Sequence, residues 1–220
     1  MTVIGITGPT GAGKTTALEI LAELDFEIVD CDALYYRLLQ TEVALRKKLT
    51  DAFGPVFLPD GGLDRRTLAK RVFGSERELA KLNGIVFPAV SAAVKQKLKD
   101  CSQKGLAIDA INLVESGMGA LCSATVAVTA PPDIRLKRIM DRDGLTEEQA
   151  RARIDAQKSE AWYRENCTFL LENQAEDRDA CQALMREFFS NILIWIGERG
   201  HENGSERVER ETSHGEEKRL

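Results

Sequence analysis

The sequence predicts an α/β fold, a parallel five-stranded sheet covered by helices on both faces. Three observations carry that expectation. Short β-rich runs alternate with helical patterns along most of the chain, as in sheets built from crossover connections. A glycine-rich loop joins the first of those runs to the first helical one. The 220 residues, 43% hydrophobic and 30% charged, fit one globular domain with a small inserted lobe.

The elements follow in order. Thr2-Val-Ile-Gly-Ile-Thr7 is a buried strand pattern, and Lys14 to Leu24 places Leu18, Leu21, Ala22 and Leu24 at helical spacing. Phe26 to Val29 is a second strand, ending at Asp30-Cys31-Asp32. Ala33 to Phe53 is helical, in one or two pieces, before the turn residues Pro55 and Pro59-Asp60-Gly61-Gly62. Helices at Asp64 to Phe73 and Glu76 to Asp100 follow, the second interrupted or bent near Pro88. Leu106 to Ile111 and Thr125 to Thr129 are the next strands. Helices at Asp133 to Asp141 and Thr146 to about Lys158, a weak strand at Thr168 to Leu171 and a helix from Asp177 to Gly197 complete the body. The helices between the second and third strands, about 33–102, are too many for a simple crossover and predict a lobe. The arginine-rich pair at about 133–165 predicts a lid. Residues 200–220 are highly charged with only Val208 and Leu220 clearly apolar, the composition of a disordered tail.

Gly8-Pro-Thr-Gly-Ala-Gly-Lys-Thr15 matches G-x-x-x-x-G-K-[ST] in full, after a strand and opening a helix. Glycines let the backbone curl so that its N–H groups point at phosphate oxygens, and the helix N-terminus adds partial positive charge. A chance match in a chain of this size is roughly a one-in-a-hundred event. A dinucleotide fingerprint is a poor rival, because it needs glycine where Thr16 stands. The loop and the alternation together specify a three-layer fold of the P-loop NTPase type that binds ATP. Gly11, Ala12, Gly13, Lys14, Thr15 and Thr16 are the candidate nucleotide ligands, with Lys14 reaching the phosphates and Thr15 reaching Mg2+.

Phosphoryl transfer to a hydroxyl needs a carboxylate base, and acids at strand ends supply one. Asp32 is the candidate base, Asp30 joins Thr15 as a candidate Mg2+ ligand, and Glu115 is an outer candidate. Asp30 or Asp32 also fits the plainer role of capping the helix that follows. Arg138 and Arg142 lie one helical turn apart, beside Arg135 and Lys137, and guanidinium groups match the charge of a transferring phosphoryl group. A solvated charged face is the plainer alternative.

Other chemistries are excluded. Both histidines, His201 and His214, lie in the last twenty residues, which removes histidine-based triads and zinc sites from the body. The five cysteines, at 31, 101, 122, 167 and 181, form no C-x-x-C pair. A formal net charge of −5 offers no global field for nucleic acid or an anionic membrane. With no leader and no apolar run long enough to span a bilayer, the sequence is expected to be cytoplasmic.

Over about residues 3 to 175 the ordered series of motifs resembles the dephospho-coenzyme A kinase family. It runs through Ile6-Thr-Gly8, Val29-Asp-Cys-Asp32 with Arg37, and Phe53-Gly54. Asp60-Gly-Gly-Leu-Asp-Arg65 with Leu68 and Val72-Phe73 is the most family-specific stretch. Glu115-Ser-Gly117, Arg138, Arg142-Asp-Gly-Leu145, Gln157 and Asn173 complete it. The resemblance implies a core, a helical substrate lobe and a lid, and transfer of the γ-phosphoryl of ATP to the ribose 3′-hydroxyl of dephospho-coenzyme A. It implies Asp32 as base and Arg138 or Arg142 as the lid arginine. The chain departs from the family pattern at Phe87-Pro88, where His-Pro is usual, and at Ile111 for a proline. Arg135 replaces a glutamine, and Cys167-Thr168 replaces Ala-Asp. Two rivals remain: a kinase of this fold with another nucleoside or nucleotide acceptor, and a non-catalytic ATP-binding module.

Overall fold

The computed structural model describes residues 1–175 and 177–216, the side chains of 200–216 excepted; of the segment 200–220 expected as a disordered tail, residues 200–216 continue the last helix and 217–220 lie outside the described residues. Five parallel strands lie in the order β2-β3-β1-β4-β5: β1 (Thr2–Thr7), β2 (Phe26–Asp30), β3 (Gly105–Asp109), β4 (Ala124–Thr129) and β5 (Phe169–Glu172). From β1 the chain crosses to β2 on one side, and from β3 to β4 on the other. The end of β1 is therefore a topological switch point, where ligands of open α/β sheets collect.

The strands alternate their burial between the two faces. Ile4 and Ile6 pack with Val126, Val128 and Leu171 against α1 (Lys14–Glu23) and α9 (Arg178–Glu216), through Ile20, Met185 and Phe189. Val3, Leu106 and Ile108 point the other way, toward Leu34 of α2 (Cys31–Thr41) and Val90 and Val94 of α5 (Glu76–Asp100). This period-two division explains why single strands carry apolar residues on both sides.

Four helices, α2, α3 (Val43–Phe53), α4 (Arg65–Val72) and α5, form the insertion between β2 and β3. They close around their own apolar cluster of Leu39, Leu45, Leu49, Phe53, Val56, Leu68 and Val72. Of the two expectations at Pro88, an interruption or a bend, the interruption is absent: α5 runs from Glu76 to Asp100 with the proline inside it. Proline removes the donor to residue 84 of the same helix, and Gly84 and Pro88 are both exposed, so the gap in the hydrogen-bond ladder lies on the solvent side of the helix.

Between β4 and β5 stand three helices rather than the two expected: α6 (Pro132–Asp143), α7 (Glu147–Asp155) and α8 (Glu160–Asn166). The seven residues of α8 are too few for a periodic signal, and its clearest mark is Ser159, whose side chain accepts from Trp162 N–H. α9 continues past Gly197, where the sequence places its end.

Phe189 is fully buried between α9 and the sheet. Phe189→Ala is expected to cost about 3–5 kcal/mol and lower the urea midpoint without changing the slope of the transition.

Candidate active site

The phosphate loop starts where β1 ends. Gly8 adopts φ 131°, and a Cβ there would lie 2.1 Å from the Val128 carbonyl oxygen. Gly13 caps α1 at φ 108°, where a Cβ would meet Asn173 Nδ2 at 2.5 Å. Only glycine fits either place.

A loop that turns its N–H groups inward turns its carbonyls outward, and those need donors. Lys14 Nζ donates to the carbonyls of Gly8 (2.7 Å) and Pro9 (3.1 Å). Arg135 Nε donates to Thr10 O at 2.9 Å. Arg138 Nη1 donates to Gly11 O at 3.2 Å and Ala12 O at 3.4 Å, while its Nη2 binds Ala175 O at 2.8 Å. Asn173, fully buried just after β5, donates from Nδ2 to Ala12 O at 2.8 Å. Gly13 O takes the helical bond from Ala17 N–H. Every carbonyl from Gly8 to Gly13 is thus satisfied. Among the described residues, the N–H groups of Gly11 to Thr15 have no partner. They are left for a ligand.

The lid arginines divide into different roles. Arg135 is 7% exposed and is a strut: besides Thr10 it holds Gln157 Oε1 at 2.5 Å, and the same oxygen accepts from Thr10 N–H at 3.2 Å. Arg138 braces the loop from behind yet lines the cavity. Arg142 is exposed, bonds Asp143 through Nε at 2.7 Å and reaches Thr10 Oγ1 with Nη2 at 3.3 Å. A cavity of about 400 Å³ lies over the loop, lined by Thr10, Gly11 and Gly13 to Thr16 with Asp109, Arg138 and Arg142.

Sequence reasoning missed Asp109. It ends β3, level with Ile6 of β1 and Asp30 of β2, so three adjacent strand ends bring it to the loop. The expected strand ran on to Ile111 and placed Asp109 inside it, whereas β3 ends at Asp109. Burial pushes its carboxyl up to about 6, against the pull of Lys14 and with help from Asp30 and Asp32. Burial also lowers Lys14, with Arg142 and Arg135 adding to the effect and Asp109 and Asp32 opposing it.

Asp30 is the N-cap of α2, its Oδ1 accepting from Ala33 N–H at 2.9 Å, so one carboxylate oxygen serves the helix. Asp32, in the first turn, lines a neighbouring cavity of about 190 Å³ with Tyr35, Phe87 and Asn112. Its carboxyl is raised by burial and by Asp30, with Lys14 pulling the other way. Glu115 instead faces α7–α8, 4.0 Å from Lys158.

The dephospho-CoA kinase family model matches residues 2–179. The chain belongs to this family. It is 37% identical over 191 residues to the dephospho-CoA kinase of Dehalococcoides mccartyi, covering 84% of this chain and 96% of that one. With the dephospho-CoA kinase of Corynebacterium diphtheriae it shares 33% over 200 residues, 89% and 100% of the two chains. A crystal structure of a Thermus thermophilus protein superposes with a TM-score of 0.71 at 30% identity, over 87% of this chain and 96% of the other. In this member of the dephospho-CoA kinase family, Phe87 replaces the usual histidine inside the cavity that holds Asp32. Arg135, in place of glutamine, is the strut.

Because Asp109 binds its proton more tightly folded than unfolded, it stabilises the ligand-free fold least above pH 6. Its contribution declines as pH rises from about 4 to about 6. Asp109→Asn is expected to make the ligand-free protein more stable than wild type at pH 7, by up to about 2 kcal/mol. The difference should vanish below about pH 4 in urea titrations across that range.

Proposed function

We propose that this chain transfers the γ-phosphoryl group of ATP to the ribose 3′-hydroxyl of dephospho-CoA, the last step of coenzyme A biosynthesis. The observation that carries the reading is the meeting of two cavities at one set of charges. One holds the phosphate loop and Lys14, the other holds Asp32, and Asp109 interacts electrostatically with both Lys14 and Asp32.

The residues present fit ATP and Mg2+. Five unpartnered N–H groups and the desolvated Lys14 suit phosphate oxygens, and the Asp109 carboxylate, unfavourably buried on its own, suits a divalent cation. Thr15, Asp109 and the uncapped oxygen of Asp30 would hold the ion. Among the described residues no group of three metal-ligating side chains stands together, so phosphate oxygens and water would have to complete the shell. When bound, Mg2+ neutralises charge on the β- and γ-phosphates. Lys14 and Arg142 would stabilise charge on the transferring group, while Arg138 would orient the loop and touch the phosphates from the side. Asp32 would accept the hydroxyl proton, and its raised carboxyl pKa makes it a stronger base. The helical lobe (about 33–102) would carry the acceptor and the lid (about 133–165) would close on ATP. No helix among the described residues is long and apolar enough to cross a membrane.

One observation favours a second reading, a related nucleoside or nucleotide as acceptor: Phe87 makes the Asp32 cavity more apolar than histidine would. Comparison of acceptors under identical conditions separates the two.

Asp32→Asn is expected to reduce kcat with dephospho-CoA by about 10²–10⁴-fold while ATP binding, measured by calorimetry, stays close to wild type. Unchanged turnover would remove Asp32 from the role of base.

A further inference from the structure

We propose that Thr10 and Asp143 are positioning residues that hold the Arg142 guanidinium with one nitrogen, Nη1, free for the γ-phosphoryl group, a proposal that rests on the phosphoryl-transfer reading. Thr10 belongs to the phosphate loop, yet all three of its polar groups are bound to side chains of the lid. Its N–H donates to Gln157 Oε1 at 3.2 Å, its carbonyl accepts from Arg135 Nε at 2.9 Å, and its hydroxyl accepts from Arg142 Nη2 at 3.3 Å. Gln157 and Arg135 are themselves joined, Nη2 donating to Oε1 at 2.5 Å. The backbone of Thr10 is therefore held on both sides, and its hydroxyl is an acceptor at a set place in the wall of the nucleotide cavity.

The second tether lies where α6 ends. Asp143 Oδ1 accepts from Arg142 Nε at 2.7 Å and Oδ2 accepts from Arg142 Nη2 at 2.9 Å, a two-point pairing that sets the plane of a guanidinium as well as its position. Arg153, on α7, donates from Nη1 to the same Oδ2 at 2.5 Å, so Asp143 is itself held. Exposed ion pairs ordinarily gain little. This one is bidentate, braced by a second arginine and joined through Thr10 to the phosphate loop.

A count of donors shows what these contacts leave over. Nε of Arg142 is taken by Asp143, and Nη2 divides between Asp143 and Thr10. Nη1, with two N–H groups, has no partner among the described residues, and Arg142 lines the cavity over the loop. Arg138 is placed differently, since both of its terminal nitrogens are given to the carbonyls of Gly11, Ala12 and Ala175. The Arg142 side chain is 60% exposed, so without tethers it would sample many rotamers. A charged partner already in place spares that ordering at the moment of reaction, which is where a positioning residue acts on rate.

Thr10→Val removes the hydroxyl and keeps the branched shape, Thr10→Ser keeps the hydroxyl, and Asp143→Asn breaks the two-point pair. Thr10→Val and Asp143→Asn would also be combined with Arg142→Ala. The readouts are kcat with dephospho-CoA and the calorimetric affinities for Mg-ATP and Mg-ADP, of which the first alone carries the γ-phosphoryl group. The expected result for Thr10→Val and Asp143→Asn is a fall of about tenfold or more in kcat and of about threefold or more in the ATP-to-ADP affinity ratio. Thr10→Ser should stay within about twofold of wild type, as should ADP affinity in every variant, which checks the fold. In the Arg142→Ala background neither substitution should lower kcat or the ratio further, because residues that act through one group are not additive. Unchanged kcat and ratio in a variant overturns the assignment of that residue, and losses that multiply with that of Arg142→Ala overturn the proposal as a whole. If wild type forms no coenzyme A, the proposed reaction falls and the affinity ratio decides the positioning by the same criteria. Coenzyme A formed with kcat and ratio indifferent to the substitutions leaves the reaction standing and removes both tethers.

Discussion

A loop that leaves five N–H groups free for a ligand must satisfy its carbonyls elsewhere, and in this chain much of the architecture answers that need. The donors for Gly8 to Ala12 come from Lys14 at the start of α1, Arg135 and Arg138 on α6, and Asn173 beyond β5. The loop is therefore clamped by elements more than 120 residues away in sequence. Most of those donors are cationic. Burial lowers the affinity of Lys14 for its proton, Arg142 and the largely buried Arg135 lower it further, and such a crowd is favourable only opposite an anion. Bracing the loop and attracting phosphate are the same act.

The acids supply the counterweight. Asp109 comes from the end of β3 inside the sheet, Asp30 from the end of the edge strand β2 and Asp32 from the first turn of α2, opposite the arginines of α6. Burial raises the carboxyl pKa of Asp109 and Asp32, which favours a cation near one and proton uptake by the other. In the proposed reaction, two unlike requirements, metal and base, would be met by one local field.

What the sequence made legible was whatever is written locally. The phosphate loop is contiguous, the strands and most helices carry their own periodicity, and Asp32 follows a strand end. What it hid depends on register and distance. Asp109 has no motif, and its proximity to the loop comes from β1 and β3 pairing Ile6 with Asp109. Arg135 looked like one more exposed lid charge, whereas its reach to Thr10 and Gln157 is set by how α6 crosses the loop. Asn173 could be noted by resemblance alone, because nothing near it in sequence says that its amide meets Ala12. Pro88 shows a related limit: it lies inside a continuous α5 with both it and Gly84 exposed, so the bond it removes is lost on the solvent side rather than in the core.

The central claim is that a loop clamped in this way presents ATP to a hydroxyl beside Asp32. Its most direct test is to incubate the purified protein with Mg-ATP and dephospho-CoA and to follow product by mass spectrometry, with a fragment ion reporting the position of the new phosphate. The account predicts coenzyme A with the phosphate on the 3′-oxygen, formed catalytically and abolished by Lys14→Ala. ATP binding with no coenzyme A formed would contradict it.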